Sequence, residues 1–250
     1  MPRAALVTGA AKRIGRAIAL ALAEDGYAVA VHYNSSAAEA EGVAGQIVKA
    51  GGKAVALKAD LGVEAQVQTL IPQATAALGS LGLLVNNASL FERDEVKAVT
   101  RGGWDAHMET NLRAPFVLIQ AFANQLPAET EGVVVNMLDE RVLKLTPHFV
   151  SYTVSKAGLW ALTQTLALAL APRIRVNGIG PGPTLPSPRQ SPEQFARQSA
   201  SMPLKRGATP DEIVAAVRFI VAARSMTGAI LTLDGGQHLA WQFPGGGVTE

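Results

Sequence analysis

The segment AALVTGAAKRIGR, residues 4–16, decides the fold. An apolar strand at residues 4–8 leads into a glycine turn and then into a segment in which Ile14, Ile18 and Leu22 repeat with helical period. Gly9 permits a tight turn, and Gly15 lets the helix pack close to the strand. The free N–H groups and partial positive charge at a helix start suit a pyrophosphate. This segment therefore predicts a first strand–helix unit that binds a dinucleotide.

Strand and helix alternate along the rest of the chain. The short apolar runs predicted as strands are residues 4–8, 28–33, 54–57, 81–86, 132–138, 174–178 and 229–233. They are apolar throughout, as expected for parallel strands that are covered on both faces. The predicted fold class is α/β, a doubly wound parallel sheet of the Rossmann type with about seven strands and helices on both faces. Since no linker divides residues 1–250, we expect a single dinucleotide-binding domain.

Composition excludes several classes of protein. Apolar residues make up 48% and charged residues 17% of the 250, which excludes a disordered chain. The net charge of +2 is spread along the sequence, so no nucleic-acid partner is predicted. The chain has no cysteine, and its four histidines lie far apart, so no metal site is predicted. The apolar run at the amino terminus is too short for a signal peptide, and the apolar segment 157–171 is too short to span a bilayer. We therefore expect a cytoplasmic protein without a membrane partner.

Residues 181–210 carry seven prolines and interrupt the strand–helix alternation. Ligands of such folds bind beyond the carboxyl ends of the strands, where long inserted loops often cover them. We therefore interpret residues 183–208, approximately, as a substrate loop, the alternative being a plain surface excursion. Residues 245–250 are expected to form a flexible tail, and Trp241 and Phe243 either reach a neighbouring subunit or belong to that tail.

The residues after the second strand bear on the choice of nucleotide. Tyr33, Asn34, Ser35 and Ser36 include no acid that would bind a ribose 2′-hydroxyl, as NAD sites do. Arg13 stands where a third glycine is expected and adds a positive charge that suits a 2′-phosphate. We therefore expect NADPH as the cofactor; the alternative is that Arg13 is only a solvated residue at the helix start.

The sequence YTVSK, residues 152–156, contains the most informative pair of polar residues. Tyr152 and Lys156 are one helical turn apart, so their Cβ atoms are expected about 5–6 Å apart on one face. A phenol titrates near pH ~10, and a fixed ammonium beside it favours the phenolate. Alone, this spacing usually marks a solvated helix face. Together with the glycine turn at residues 9–15, called the phosphate loop below, this spacing indicates an acid–base site beside a nucleotide.

In order and spacing, these motifs resemble those of the short-chain dehydrogenase/reductase family: Thr8–Gly15, Asp60-Leu61, Asn86-Asn87-Ala88, Asn111, Tyr152-x-x-x-Lys156 and Pro181-Gly182. The resemblance implies that Asp60 and Leu61 contact the adenine, that Asn87 and Ala88 flank its ribose, and that Lys156 holds the nicotinamide ribose. It also implies that Asn111 supports a water chain to Lys156, and that the protein is a homotetramer. The residues expected to bind the cofactor are Gly9, Arg13, Ile14, Gly15, Tyr33, Asn34, Ser35, Ser36, Asp60, Leu61, Asn87, Ala88, Ser89, Tyr152, Lys156, Pro181 and Gly182.

Three departures from the general family pattern, together with His32-Tyr33, resemble the pteridine reductase and dihydromonapterin reductase branch. Asp139 stands thirteen residues before Tyr152, where the family has serine; Ser89 replaces a glycine; and Arg13 replaces the middle loop glycine. The branch implies an Asp139, Tyr152 and Lys156 catalytic set and a pterin or folate substrate. Phe91 is expected to stack on the flat ring. The substrate residues expected are Arg13, Ser89, Phe91, Asp139 and Tyr152.

A carboxyl at position 139 suits reduction of a C=N bond, because a ring nitrogen must gain a proton as carbon accepts hydride. We expect Tyr152 and Asp139 to share delivery of that proton. One alternative is reduction of a 3-oxoacyl thioester or another carbonyl, which Asp139 disfavours because a carboxylate repels a developing alkoxide. A second is a protein that senses NADP(H) without turnover, which the presence of both Tyr152 and Lys156 disfavours.

Overall fold

The computed structural model describes residues 1–187 and 189–240, and these contain a seven-stranded sheet. All of its strands are parallel, in the order β3-β2-β1-β4-β5-β6-β7. This confirms the predicted doubly wound fold. The strands are β1 (Ala4–Val7), β2 (Ala28–Tyr33), β3 (Ala54–Lys58), β4 (Leu83–Asn86), β5 (Gly132–Met137), β6 (Ile174–Pro181) and β7 (Ile230–Leu233).

Helices cover both faces of the sheet because side chains alternate along each strand. The helices are α1 (Arg13–Glu24), α2 (Ala37–Lys49), α3 (Glu64–Leu78), α4 (Arg101–Met108), α5 (Ala114–Gln125), α6 (Val150–Ala169), α7 (Pro192–Ser201) and α8 (Pro210–Ala222). Ala5 and Val7 of β1 pack in one core, beneath α1, α2 and α8, whereas Ala4 and Leu6 pack in the other, beneath α3, α5 and α6.

The predicted end of the sixth strand, at residue 178, is wrong. Strand β6 continues to Pro181, and Gly180 pairs with Thr232 of β7. The substrate loop also contains a regular element, the helix α7. Ser191 begins it with a capping box, in which the Ser191 hydroxyl accepts from the Gln194 N–H and the Gln194 side chain accepts from the Ser191 N–H.

A π-helical turn, Glu109–Arg113, joins α4 to α5 and buries Asn111 completely. Such turns occur frequently at functional sites. Within residues 1–187 and 189–240, no helix is long and apolar enough to cross a membrane. The expectations for Trp241, Phe243 and residues 245–250 concern positions outside the described residues.

Candidate active site

Gly9 turns the chain from β1 into α1 with a φ of +62°. A Cβ at Gly9 would lie 3.0 Å from Cα of Ala88, and a Cβ at Gly15 would lie 2.2 Å from the Gly9 carbonyl oxygen. The side chain of Lys12, the residue before α1, makes no capping hydrogen bond, and the first turn has no acidic residue. The N–H groups at this helix start therefore have no side-chain acceptor, which fits a pyrophosphate.

Thr8 ties the end of β1 to the end of β4. Its hydroxyl accepts from the N–H groups of Asn87 (2.9 Å) and Ala88 (3.0 Å), and Nδ2 of Asn87 donates to the Thr8 carbonyl oxygen at 2.8 Å. Strand order reverses between β1 and β4, and ligands of doubly wound folds bind in the crevice at that point. Asn87 and Ala88 thus lie where the resemblance places a nucleotide.

The buried ring of His32 binds the phosphate loop at Gly9, a role that sequence reasoning missed. The N–H of Gly9 donates to Nδ1 of His32 at 3.0 Å, so Nδ1 carries a lone pair. The other ring nitrogen, Nε2, therefore donates to the carbonyl oxygen of Ala59 at 3.1 Å. Burial lowers the pKa of His32 to about 4, and the ring is neutral at neutral pH.

The residues expected at the adenine end lie beyond β2 and β3. Asn34 and Ser35 are exposed, Tyr33 and Ser36 are half-buried, and Leu61 is buried. Oδ1 of Asp60 accepts from the N–H of Gly62 at 2.8 Å, which closes a tight turn.

Three further positions expected at the cofactor lie close to the cleft described below. Ile14 is half-buried in the first turn of α1. Pro181 ends β6, and the N–H of Gly182 donates to the Leu233 carbonyl oxygen at 3.0 Å.

Arg13 stands at a glycine position of the loop motif and adopts a glycine-like φ of +54°. Nη1 donates to the carbonyl oxygen of Pro186 at 2.9 Å, and Nη2 donates to that of Leu185 at 3.2 Å. The guanidinium therefore connects the phosphate loop to the substrate loop. In this arrangement it faces the substrate side, which agrees better with contact to a substrate edge than with the expected contact to a 2′-phosphate beyond β2.

Asp139, Tyr152 and Lys156 converge at the carboxyl end of β5. The Tyr152 hydroxyl donates to Oδ2 of Asp139 at 2.8 Å. Nζ of Lys156 donates to the Met137 carbonyl oxygen at 2.7 Å and lies 5.8 Å from the Tyr152 ring centroid. Tyr152 and Lys156 are both buried on one face of α6.

The pKa of Tyr152 moves in the direction opposite to the one expected from the sequence. Burial first, and then the charge of Asp139 and its hydrogen bond, raise this pKa well above its ordinary value, while Arg141 and Ser89 oppose the rise. Burial also lowers the pKa of Lys156, to about 8. The phenol is therefore a neutral hydrogen-bond donor in this structure, because the effects of burial and Asp139 exceed any stabilisation of the phenolate.

A cleft of about 580 Å³ lies between these residues and the substrate loop. Asp139 lines it, and the buried Tyr152 hydroxyl contacts that carboxylate. A larger cavity, about 810 Å³, lies at the amino ends of β5 and β6, away from the phosphate loop, so we place the site in the smaller one. Residues that line the smaller cleft include Arg13, Phe91, Arg141, Phe149, Gly182, Leu185, Phe195 and Gln237.

Residues 9–238 match the family model described as enoyl-(acyl carrier protein) reductase. The chain belongs to the short-chain dehydrogenase/reductase family. It is 33% identical over 244 residues to the 3-oxoacyl-[acyl-carrier-protein] reductase FabG of Staphylococcus epidermidis, which covers 96% of this chain and 100% of that protein.

Solved structures of the same family are more similar still. FolM alternative dihydrofolate reductase 1 from Brucella canis, complexed with NADP, has a TM-score of 0.93 and 49% identity over 97% of this chain and 96% of its own. The corresponding protein from Brucella suis, also in complex with NADP, has a TM-score of 0.93 and 50% identity over 96% of each chain. The family predicted from the motifs is thereby confirmed.

Phe91 belongs to an aromatic cluster beside Tyr152. Its ring stacks on Phe149 with centroids 4.5 Å apart and meets Tyr152 edge-on at 4.7 Å. The guanidinium of Arg189, from the substrate loop, lies 5.4 Å from the Phe91 centroid. A flat substrate can therefore stack on Phe91 only on the face that Phe149 leaves free, and only if Arg189 leaves room.

Phe149 is a site residue that sequence reasoning missed. It precedes α6 with a φ of +59°, a conformation that bulky residues rarely adopt. This backbone conformation places its ring against Phe91. No pattern in the sequence signals a left-handed phenylalanine, so only the fold reveals it.

Asn111 of the π-helical turn fixes the segment that carries Ser89. Its Oδ1 accepts from the N–H of Leu90 at 2.8 Å and from the Ser89 hydroxyl at 3.3 Å, while Nδ2 donates to the Leu90 carbonyl oxygen at 2.9 Å. Nδ2 also donates to the hydroxyl of Ser155 at 3.1 Å. The amide thus positions this loop, and the water chain to Lys156 that the family resemblance implies stays a prediction.

The half-buried Asp94 and the buried Ser151 and His107 form a relay that looks like a hydrolase triad but has the opposite polarity. His107 Nε2 accepts from the Glu92 N–H at 3.1 Å, so Nδ1 carries the proton and donates to the Ser151 hydroxyl at 2.7 Å. The Ser151 hydroxyl in turn donates to Asp94 through a short hydrogen bond. Because His107 donates to the serine, it is not a base for it, and the relay instead anchors the loop that carries Phe91. Within residues 1–187 and 189–240, no group of three or more His, Cys, Asp or Glu side chains could hold a metal ion.

Proposed function

We propose that this protein is an NADPH-dependent reductase that transfers a hydride to a C=N bond of a pterin, either a free dihydropterin or dihydrofolate. The observation that carries this proposal is the 2.8 Å hydrogen bond between Tyr152 and Asp139 at the wall of the cleft. In the reaction, carbon gains hydride, the adjacent nitrogen gains a proton, and NADPH becomes NADP⁺. The similarity to the two Brucella FolM structures supports both the cofactor and the substrate class.

The phosphate loop holds the nucleotide in this proposal. The start of α1 binds the pyrophosphate, because its N–H groups lack a side-chain acceptor. Gly9 and Gly15 allow the loop to pack closely against the Ala88 backbone and against the loop's own carbonyl oxygen, which holds these N–H groups in place. Asn34, Ser35 and Ser36 offer donors to a 2′-phosphate. Lys156 holds the nicotinamide ribose, and the bound cofactor supplies the hydride.

The proton comes from Asp139 and Tyr152 acting together. Because the pKa of Tyr152 is raised, the phenol keeps its proton at neutral pH and donates it toward Oδ2 of Asp139. As negative charge develops on the substrate nitrogen, a proton passes from this pair to the nitrogen, and solvent resupplies the pair through the cleft. The buried ammonium of Lys156, held by the Met137 carbonyl oxygen, orients the ribose beside them.

The substrate occupies the cleft under the substrate loop. Its flat ring stacks on the face of Phe91 opposite Phe149, once the Arg189 guanidinium moves aside, and its polar edge bonds to Ser89 and Arg13. Arg13 already contacts the loop carbonyl oxygens at Leu185 and Pro186, so a bound ring edge has a charged donor at this end of the cleft.

Reduction of a 3-oxoacyl thioester is the second candidate, and the 33% identity to FabG over nearly the whole chain favours it. Asp139 argues against it. A carbonyl reduction builds negative charge on oxygen, and a carboxylate at the position of a hydrogen-bond donor raises the free energy of that transition state. The convergence of Asp139, Tyr152 and Lys156 likewise argues against a sensor without turnover.

One experiment separates these functions. Purified protein is mixed with NADPH and 7,8-dihydropterin, dihydrofolate, acetoacetyl thioester or no substrate, and the loss of NADPH absorbance is followed. We expect oxidation with the dihydropterins and none above background with the thioester. Oxidation with the thioester alone would establish the second candidate, and NADPH binding without oxidation under any condition would establish the sensor. The Tyr152→Phe variant serves as the inactive control.

We also propose a homotetramer in the cytoplasm, on the family resemblance. Leu168 of α6 is 83% exposed and Phe219 of α8 is 55% exposed, and packing between subunits would cover such side chains. Light scattering of the purified protein tests the assembly, and a monomeric mass at micromolar concentration would contradict it.

A further inference from the structure

Arg141 fixes the carboxylate of Asp139 from a position two residues along the chain. Nη1 donates to both oxygens of Asp139, at 3.0 Å and 3.2 Å, and the backbone N–H of Arg141 donates to Oδ1 at 2.9 Å. Tyr152 occupies Oδ2 from another direction at 2.8 Å. The carboxylate is therefore held by four hydrogen bonds, which leave it a single orientation.

The same guanidinium lies against the aromatic wall of the cleft. Its central carbon is 5.3 Å from the Phe149 ring centroid and 5.6 Å from that of Phe91, within the range of cation–π attraction. The side chain is only 16% exposed. Arg141 thus joins the carboxylate that accepts from Tyr152 to the ring on which the substrate is proposed to stack.

Burying a guanidinium and a carboxylate together costs desolvation free energy that their attraction only partly offsets. The other arginine–carboxylate pairs within 3.0 Å in the described residues involve arginine side chains that are 42% or more exposed. Arg141 therefore differs from them in being largely removed from water at the cleft. Such a pair is better explained by orientation of a reacting group than by stability.

We propose that Arg141 is a positioning residue for proton delivery, which fixes the orientation of Asp139 and balances its charge so that Asp139 and Tyr152 act as one donor facing the Phe91 ring. This inference rests on the proposed function of the site. The electrostatics agree with it, since the positive charge of Arg141 opposes the rise in the pKa of Tyr152 that burial and Asp139 cause. A planar fork against aromatic rings is a geometry that lysine does not reproduce.

The test replaces Arg141 and asks which step becomes slow. With Arg141→Met, we expect kcat on the dihydropterin to fall about 10- to 100-fold, while the KM for NADPH changes less than about threefold. Proton transfer should then limit the rate. We therefore expect the solvent deuterium isotope effect on kcat to rise and the isotope effect of NADPH deuterated at the transferred position to fall. Arg141→Lys, which keeps the charge without the fork, should restore part of kcat.

Arg218 provides a matched control. It pairs with Asp25 through Nε at 2.7 Å and Nη2 at 2.9 Å, between α8 and α1. Arg218→Met removes a comparable ion pair away from the cleft, and we expect wild-type kcat and isotope effects.

Two results overturn the inference: a folded Arg141→Met protein with wild-type kcat, or one with lowered kcat and unchanged isotope effects. If Arg141→Met does not fold, Arg141→Lys decides, because lowered kcat with a raised solvent isotope effect supports the inference and wild-type values overturn it. These outcomes differ from a failure of the proposed function, in which the wild-type protein itself does not oxidise NADPH with a dihydropterin.

Discussion

Oδ2 of Asp139 accepts its 2.8 Å hydrogen bond from the hydroxyl of Tyr152, thirteen residues further along the chain. The carboxylate follows β5, and the phenol emerges from the first turn of α6. A strand of the sheet and a helix packed on the sheet thus place an acid pair at the wall of the cleft. The chemistry proposed for the site depends on this contact.

Replacement of Asp139 by Ala should lower kcat with a dihydropterin by about 10²- to 10⁴-fold, the contribution of a positioned acid–base group. NADPH binding, followed by nucleotide fluorescence, should change little, since the phosphate loop is untouched. Asp105→Ala removes an exposed carboxylate paired with Arg101 and should leave kcat at the wild-type value. Activity near wild type in Asp139→Ala would refute the role of the carboxylate.

Replacement of Gly15 by Ala should weaken NADPH binding at least tenfold and lower the free energy of unfolding by about 1–3 kcal/mol, because the new Cβ would lie 2.2 Å from the Gly9 carbonyl oxygen. Gly42 of α2 has no atom within 4 Å of its would-be Cβ. Gly42→Ala should therefore stabilise the protein by about 0.5–1 kcal/mol and leave binding unchanged. Titration calorimetry and urea unfolding measure both quantities; equal effects of the two changes would contradict the packing argument.

The stability of the protein should fall in mild acid because of His32. Its pKa is about 4 in the folded state against an ordinary value of 6.5, so between these values the unfolded chain binds a proton that the folded protein does not. Stability from this group is present above pH ~6.5 and is lost as the pH falls toward 4. We expect a loss of roughly 2 kcal/mol between pH 7 and pH 4.5, measured by urea unfolding, and a smaller loss in His32→Gln. An identical pH dependence in both proteins would show that His32 does not carry the effect.

Replacement of Ser151 by Ala should destabilise the fold by about 1–3 kcal/mol, since it leaves the buried ring of His107 and the half-buried carboxylate of Asp94 without their partner. Because the relay anchors the Phe91 loop, the KM for the pterin should also rise. Ser225→Ala, at an exposed position, should change the free energy of unfolding by less than about 0.5 kcal/mol. Wild-type stability and KM in Ser151→Ala would show that the relay does not anchor the Phe91 loop.

The strands could be predicted from the sequence because both faces of the sheet are covered. Runs such as the apolar residues of β2 are buried on alternating sides in two cores, which leaves an uninterrupted signal. The end of β6 lacked that apolar signal, because Gly178 and Gly180 are residues typical of turns. In the structure they are strand residues, and the side chains of Leu138 and Ile230 occupy the space that a Cβ at each position would need. Helix α7 was missed because it lies in a proline-rich segment, although the capping box at Ser191 and the proline at its first position, Pro192, mark its start.

The site was predictable where motifs are local and not where it depends on packing. The spacing of Tyr152 and Lys156 predicted that both side chains share one helix face, and the count back to Asp139 identified a partner for Tyr152 through the family resemblance. The roles of His32, Arg141 and Phe149 depend on contacts with residues distant in sequence or on a rare backbone conformation. The raised pKa of Tyr152 likewise depends on burial, which a spacing rule does not contain.

Arg13 has a consequence for how a ternary complex assembles. Its backbone belongs to the turn proposed to receive the nucleotide phosphates, while its guanidinium holds the loop over the cleft through Leu185 and Pro186. In the proposed function this one side chain joins the two binding regions, so we expect binding of the reduced nucleotide and of the second reactant to be thermodynamically linked.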